Sequence, residues 1–290
     1  MNIVGLRYKS FTVSAVAIIL SLIFLVTPGL NLGIDFTGGT LLERRVSREV
    51  SVEEIRKILN DDLSELGIGN AVIQMLDQKN EFIIRTRELS SSEIIEIDKT
   101  LTDAFGEVDQ RKTEVVYPVI GRELIRQAVV ALSVASIGIL IYISYRFEFK
   151  FAVSAVAALL HDVIIVLGIF ALLGKEINST FIAAILTVVG YSINDTIVIF
   201  DRIRDNLSFR KKESDEDLVN KSINQSISRT INTSVTTFIV VLLLFLFGGA
   251  SISDFALALV LGVIIGSYSS LFIVAPMWLE WRRRSKHRVK

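Results

Sequence analysis

Long apolar runs alternate with polar ones along this chain, and the runs come in two lengths. Phe11 to Val26, Leu124 to Tyr145, Phe151 to Leu173, Phe181 to Phe200, Ile231 to Phe247 and Phe255 to Leu279 are almost free of charge. Each approaches or exceeds the roughly twenty residues that cross about 30 Å of hydrocarbon, so they predict six membrane-spanning helices. The first run follows Arg7 and Lys9, as a secretory signal would. It is long for a signal core, however, and no Ala-x-Ala-like exit follows it, so it is read as an uncleaved span.

Between residues 30 and 121 the apolar spacing is shorter and changes period. Thr40 to Val46, Ala71 to Leu76, Glu81 to Thr86 and Lys112 to Tyr117 read as strands, the second and third joined by a turn at Asp77-Gln78-Lys79-Asn80. Val52, Ile55, Leu59, Leu63 and Leu66 fall on one helical face, as do Ile94, Ile97, Leu101 and Phe105. The second helix opens on Ser90-x-x-Glu93, a capping box, and Pro118 stops the last strand. The order βαββαβ is the ferredoxin-like split pattern. The predicted architecture is therefore an α-helical membrane protein, a six-span half-bundle with a small α+β module after the first span. Its parts are 1–29 (N-terminus and first span), 30–121 (the ferredoxin-like module), 122–281 (five more spans) and 282–290 (a basic tail).

Charge sets the expected direction. Arg7 and Lys9, Arg146 and Lys150, the cluster Arg202 to Lys212 and the tail from Arg282 to Lys290 alternate with the nearly uncharged turns Gly174 to Ser179 and Gly248 to Ser253. By the positive-inside rule both termini are cytoplasmic and the module lies outside, in the periplasm. Within the segment 201–230, Val219, Ile223 and Ile227 recur every four residues on an otherwise polar helix, which predicts an amphipathic cytoplasmic helix lying on membrane lipids. Gly262, Gly266 and Ser270 form a small-xxx-small face for close packing. The 31 basic and 31 acidic residues balance, which removes any bulk-charge case for nucleic-acid binding. With no cysteine, two histidines and no HExxH, no metal site is expected.

Candidate chemistry centres on Asp195. An ionised Asp near the middle of a spanning helix costs about 3 kcal/mol, against roughly 0.5 gained for each Leu, Ile or Val, so it needs a partner or a use. Thr187, Tyr191 and Asp195 are four apart, with Asn194 adjacent, which makes one face of span four polar. Span five opens with Arg229, Thr230, Asn232, Thr233, Ser234, Thr236 and Thr237. With the two helices antiparallel, Asp195 and Arg229 are expected at similar depth. Burial favours a protonated carboxyl and an arginine favours an ionised one, so a water path that opens and closes can switch it. One carboxylate flanked by Asn194 and Thr196 oxygens suits H⁺ or Na⁺ as coupling ion. His161 and Asp162 on span three are either relay members or an interhelical polar contact. Two alternatives use the same residues: a self-sufficient ion-coupled exporter, and an intramembrane aspartyl protease sharing one proton between Asp162 and Asp195. The second lacks a GxGD at either Asp, and Ala275-Pro276-Met277 matches the PAL motif poorly.

Three stretches, GIDFTGGT (33–40), LLHDVIIVLGIFALLGKEIN (159–178) and GYSINDTIVIFDRIRDN (190–206), resemble the SecD/SecF family of bacterial protein-export subunits. The six-span layout with one short outer module is similar to the smaller partner of that pair. The resemblance implies a resistance-nodulation-division (RND)-like membrane region in the bacterial inner membrane, a companion SecD, the SecYEG channel, often YajC, and preprotein substrates. It implies a non-enzymatic subunit, with no cofactor, that uses the proton-motive force to help complete translocation. Asp195 and Arg229 occupy the places of the family's span-four aspartate and span-five arginine. Gly33, Asp35, Gly38 and Gly39 form its motif near the first span, expected here to serve as the turn into the first strand.

Overall fold

The computed structural model of the chain describes residues 2–76, 78–209 and 213–287. Asp77 of the expected hairpin turn, the charged residues 210–212 and the final residues 288–290 of the basic tail lie outside the described residues. A short 3₁₀ turn, Val4–Leu6, leads into α1 (Arg7–Val26). Then come β1 (Asn31–Leu32), α2 (Ile34–Thr37), β2 (Gly39–Val46), α3 (Val52–Asp61), β3 (Val72–Met75), β4 (Glu81–Thr86), α4 (Ser91–Phe105) and β5 (Val108–Val116). After them follow α5 (Pro118–Arg146), α6 (Phe149–Leu173), β6 (Glu176–Ile177), α7 (Ser179–Ser208), α8 (Asp215–Phe247) and α9 (Ala250–Ser269). A π-helical turn, Ser270–Val274, joins α9 to α10 (Ala275–His287). Among the described residues 6 helices are long and apolar enough to cross a membrane: Val4–Val26, α5, α6, α7, α8 and the continuous Ile252–Arg284. The chain forms two compact units, Leu32–Ala128 and the combination of Met1–Asn31 with Val129–Lys290.

In the smaller unit the four main strands lie in the order β3-β4-β2-β5, every neighbouring pair antiparallel, which is ferredoxin-like topology. Leu42 and Val46 of β2, Phe82 and Ile84 of β4, Ile55 and Leu59 of α3, and Ile97, Leu101 and Phe105 of α4 form the core. Two boundaries differ from the sequence reading. Leu63 and Leu66 contribute to the core from beyond α3, in a turn and a short 3₁₀ helix, because Asn60-Asp61-Asp62 are poor helix formers. β5 begins at Val108 rather than Lys112, since a bulge between Glu43 and Arg44 lets β2 keep pairing as far as Val108. The residues so added are polar and lie on an edge strand, where alternation carries no signal. Pro118 is the first residue of α5, where its missing N–H costs nothing.

The capping box at Ser90 and Glu93 forms with both reciprocal bonds, and Ser51 with Glu54 forms a second one. Glu93 is held far below the ordinary carboxylate value of 4.5, at about 2, first by the Arg87 guanidinium, then by the N–H and hydroxyl of Ser90. A carboxyl depressed in the folded state stabilises fully above its unfolded value, and that contribution is lost as the pH falls toward the folded one. Glu93→Gln is therefore expected to flatten the loss of α4 stability between about pH 4.5 and about 2, read by hydrogen exchange at the first-turn amides. An exchange profile of the same steepness in the variant would refute the assignment.

The Gly38-Gly39 pair ends α2 and starts β2 with φ values of +75° and +126°. A Cβ on Gly39 would collide with the Thr86 carbonyl of the paired strand, and one on Gly38 would lie 2.9 Å from the Pro118 backbone. Gly33 caps α2 in extended geometry. Gly38 and Gly39 are required by positive φ and close backbone approach, whereas the Gly33 backbone is one that any residue adopts.

In the larger unit α6, α7 and the continuous helix from α9 into α10 form the centre. Gly168 of α6 lies directly under Ser21 of α1, where a Cβ would meet backbone, and Gly262 and Gly266 of α9 lie against Val188 and Ser192 of α7, where a Cβ would collide with Val188 and crowd Ser192. At one end Phe151 stacks on Trp278 with ring centroids 4.5 Å apart and an interplanar angle of 5°. Into this cluster pack Ile3, Val4, Leu218, Val219 and Ile223. The amphipathic stripe of 201–230 is thereby corrected. Val219 and Ile223 are fully buried against the bundle itself, with Ile227 packed beside them, so the stripe is not a lipid-facing surface helix. Nor is the segment a long connection, since α7 runs on to Ser208 and α8 already starts at Asp215.

Candidate functional site: two buried carboxylates in the helical bundle

Asp195 is 2 % exposed in the middle of α7. Thr233 donates to its Oδ1 at 3.3 Å and Ser234 to its Oδ2 at 3.5 Å, both from α8. Ser267 of α9 in turn donates to Ser234 at 2.7 Å. Two hydroxyls of the polar start of span five, those of Thr233 and Ser234, thus serve this carboxyl, while Thr236 bonds backbone carbonyls of its own helix. Both bonds come from neutral hydroxyls and are longer than the usual hydroxyl-to-oxygen distance.

Arg229 does not reach Asp195. Its side chain is exposed, and among the described residues it forms neither a hydrogen bond nor an ion pair. The antiparallel register explains this. Asn206 of α7 bonds Ser222 and Gln225 of α8 at 2.8 and 2.9 Å, while Asp195 meets Thr233 and Ser234. That pairing places Arg229 opposite the neighbourhood of Phe200, more than a helical turn from Asp195. The two are linked by charge and through Thr233, whose single hydroxyl proton has the Arg229 carbonyl at 3.0 Å as an alternative acceptor to Asp195 Oδ1. The two groups are thus offset in depth by little more than a turn, without a direct bond between them. Of the other predicted members, Thr187 and Asn194 are exposed, and Thr187 bonds its own helix at the Ala183 carbonyl, 2.8 Å away. Tyr191 is half-buried, its hydroxyl enclosed and without a partner among the described residues. The polar stripe of α7 is therefore not one site.

His161 and Asp162 are brought together with residues that the sequence reading missed. Asp162 is 1 % exposed. Its Oδ1 is 2.8 Å from His161 Nδ1, and its Oδ2 accepts from Ser192 of α7 and Ser269 of α9, each at 2.8 Å. His161 Nε2 lies 3.0 Å from Ser14 Oγ of α1. Below Ser192, Ser270 donates to the Ser192 carbonyl at 3.3 Å and pairs with Thr196 Oγ1 at 3.1 Å. The signal that could have found this cluster was Ser267-Tyr268-Ser269-Ser270, four hydroxyls in succession within an apolar span. They run into a π-helical turn that begins at Ser270, a feature often found at functional positions. The two carboxyls have separate partners and do not bond each other. A proteolytic dyad needs facing carboxyls that share one proton, so the protease alternative has no geometric basis here.

These features define a class: a multi-pass RND-like half-bundle with a ferredoxin-like module and two carboxyl groups buried in its interior. The sequence model described as "Protein export membrane protein SecD/SecF, C-terminal" matches residues 96–284, and the SecD/SecF GG motif matches residues 23–48. The chain belongs to the SecD/SecF family of protein-export membrane proteins. It is 41% identical over 297 residues to the protein translocase subunit SecF of Magnetococcus marinus, covering 99% of this chain and 94% of that one. To the protein translocase subunit SecDF of Bacillus subtilis it is 40% identical over 283 residues, covering 96% of this chain and 38% of the relative. It superposes on the crystal structure of SecDF, a translocon-associated membrane protein from Thermus, with a TM-score of 0.90 at 38% identity. That match covers 98% of this chain and 39% of the other, so the chain spans well under half of the fused relatives. The relatives are named as translocase subunits, which puts this chain among the accessory components of protein export.

Proposed function

We propose that this chain is the SecF-type half of an ion-driven export motor. It pairs with a SecD companion and uses the proton-motive force to assist preprotein translocation through SecYEG, with YajC as a further associate. In this reading the protein sits in the bacterial inner membrane with both termini in the cytoplasm and the Leu32–Ala128 unit in the periplasm. The single observation that carries it is Asp195, a carboxyl enclosed between α7 and α8 by hydroxyls alone. Ionisable groups so placed in a membrane mark functional sites by default, ion pathways and proton relays among them. Relatives in which a SecD and a SecF part form one chain support the pairing, and they explain why Arg229 is exposed: half of the motor is elsewhere.

The test is co-reconstitution of this chain with its companion and the channel in vesicles carrying an imposed gradient. Export of a preprotein is expected to rise with a proton gradient and to return to the basal level when a protonophore collapses it. A rise that survives the protonophore but vanishes without sodium would assign Na⁺ instead. A rise independent of both ions would end the motor reading.

A further inference from the structure

We propose that His161 and Asp162 form a second proton-binding site in this bundle, filled through a chain of hydroxyls made by Ser14 and Tyr268. The inference rests on the ion-coupled reading for its purpose, but not for its geometry. Tyr268 OH donates to the Ser10 carbonyl at 3.1 Å and lies 3.3 Å from Ser14 Oγ. Ser14 Oγ is 3.0 Å from His161 Nε2, and His161 Nδ1 is 2.8 Å from Asp162 Oδ1. Four polar side chains therefore stand in an unbroken row from half-buried Tyr268 to fully enclosed Asp162.

Each hydroxyl in that row has one proton to give, so the row has two possible directions. In one, Tyr268 donates to Ser14, Ser14 donates to Nε2, and Nδ1–H donates to an ionised Asp162. In the other, Tyr268 donates to the Ser10 carbonyl, Ser14 donates to Tyr268, and Nε2–H donates to Ser14. The two differ by one proton. To pass from the first to the second, the Ser14 proton moves to Nε2, the Tyr268 proton moves to Ser14, and Tyr268 takes a proton from water at its half-buried rim. The product is an imidazolium paired with a carboxylate, neutral as a unit, while the starting state carries one negative charge. Ser192 and Ser269 donate to Asp162 Oδ2 in both, which suits a carboxyl that stays ionised while its neighbour changes state.

The groups facing the pair are few. From α1 come Ser10 and Ser14, from α7 Ser192, and from α9 Tyr268 and Ser269. Arg7, the charged residue at the start of α1, is engaged with Glu216 and Glu280. The other buried carboxyl, Asp195, is turned to α8. The Tyr268 ring lies against the His161 ring, centroids 6.4 Å apart, so these two members of the row are held by packing.

The chain has two histidines, His161 and His287, so His287→Gln leaves a single imidazole for nitrogen NMR of the full chain in lipid nanodiscs. With rising pH, His161 is expected to pass from protonation on both nitrogens to protonation on Nδ1 alone. Asp162→Asn is expected to lose the doubly protonated form over the same range. Tyr268→Phe keeps the stacked ring and is expected to slow the interconversion at least several-fold, which carries the test should the Asn variant fail to insert. A neutral His161 protonated on Nε2 at every pH, or variants that behave as wild type in both respects, overturns the proposal. Asp195→Asn separates the two readings: it is expected to leave the His161 transition in place while its effect on export speaks for Asp195 alone.

Discussion

Asp195→Asn is expected to abolish the whole gradient-driven increment of export while leaving the chain folded and bound to its companion. The substitution keeps size and shape. Asn still accepts from Thr233 through its oxygen, and its amide can donate to Ser234, so the α7–α8 contact persists with its polarity partly reversed. What it removes is the ability to take up and release a cation. A neutral amide is also easier to bury than a carboxylate, so no loss of stability offsets the reading. The measurement is preprotein export by co-reconstituted vesicles with and without an imposed gradient, beside co-purification with the companion. Gradient-driven stimulation that survives in the variant would remove Asp195 from the mechanism. Arg229→Ala offers a contrast. Because that guanidinium is exposed and, among the described residues, forms no hydrogen bond or ion pair, acting on Asp195 through charge alone, its loss is expected to spare the stability of the isolated subunit and to show in gradient-driven export.

The largest stability effect is expected at Asp98→Ala in the ferredoxin-like unit. Arg44 is 0 % exposed on the central strand β2, a position where a sheet facing two helices calls for an apolar side chain. Its Nε and Nη2 bond Asp98 Oδ1 and Oδ2 at 2.6 and 3.1 Å, and its Nη1 bonds the Lys112 and Glu43 carbonyls at 2.7 and 3.0 Å. Gln110 adds a third bond to Asp98 at 2.8 Å. Removing the carboxylate leaves a guanidinium enclosed with its charge unanswered, a loss of about 3–5 kcal/mol. Replacing both partners together, Arg44→Met with Asp98→Leu, is expected to restore most of that loss, because a buried ion pair contributes little net stability over an apolar pair of similar volume. Hydrogen exchange at the β2 amides of the full chain measures both. If Asp98→Ala alone costs less than about 1 kcal/mol, water reaches Arg44 and the pair is not a buried one.

Much of this architecture was legible in the chain. The six apolar runs became six spanning helices because a bilayer leaves the backbone of an apolar stretch no alternative to its own hydrogen bonds. The Ser90–Glu93 box, the Gly38-Gly39 turn and the small face of α9 could be read because each depends on residues close in sequence or on a missing side chain. Asp195 announced itself by its energetic cost. The edge strand β5 was read short because its added residues pair through backbone alone, and backbone pairing leaves no trace in side-chain pattern.

What the amino-acid order determined by itself, then, was the set of spans, the βαββαβ module and the presence of two acidic groups in apolar surroundings. Only the tertiary structure decided what those groups touch. The register of α7 against α8 sets Arg229 a turn away from Asp195, the packing of α1 and α9 on α6 gathers Ser14, Tyr268 and Ser269 around His161 and Asp162, and the buried stripe at Val219 and Ile223 closes on the bundle rather than on lipid. Residues far apart in the chain meet through helix register and crossing, and a shift of one turn exchanges one set of neighbours for another. Hydropathy shows which segments are buried, but it carries no information on that register.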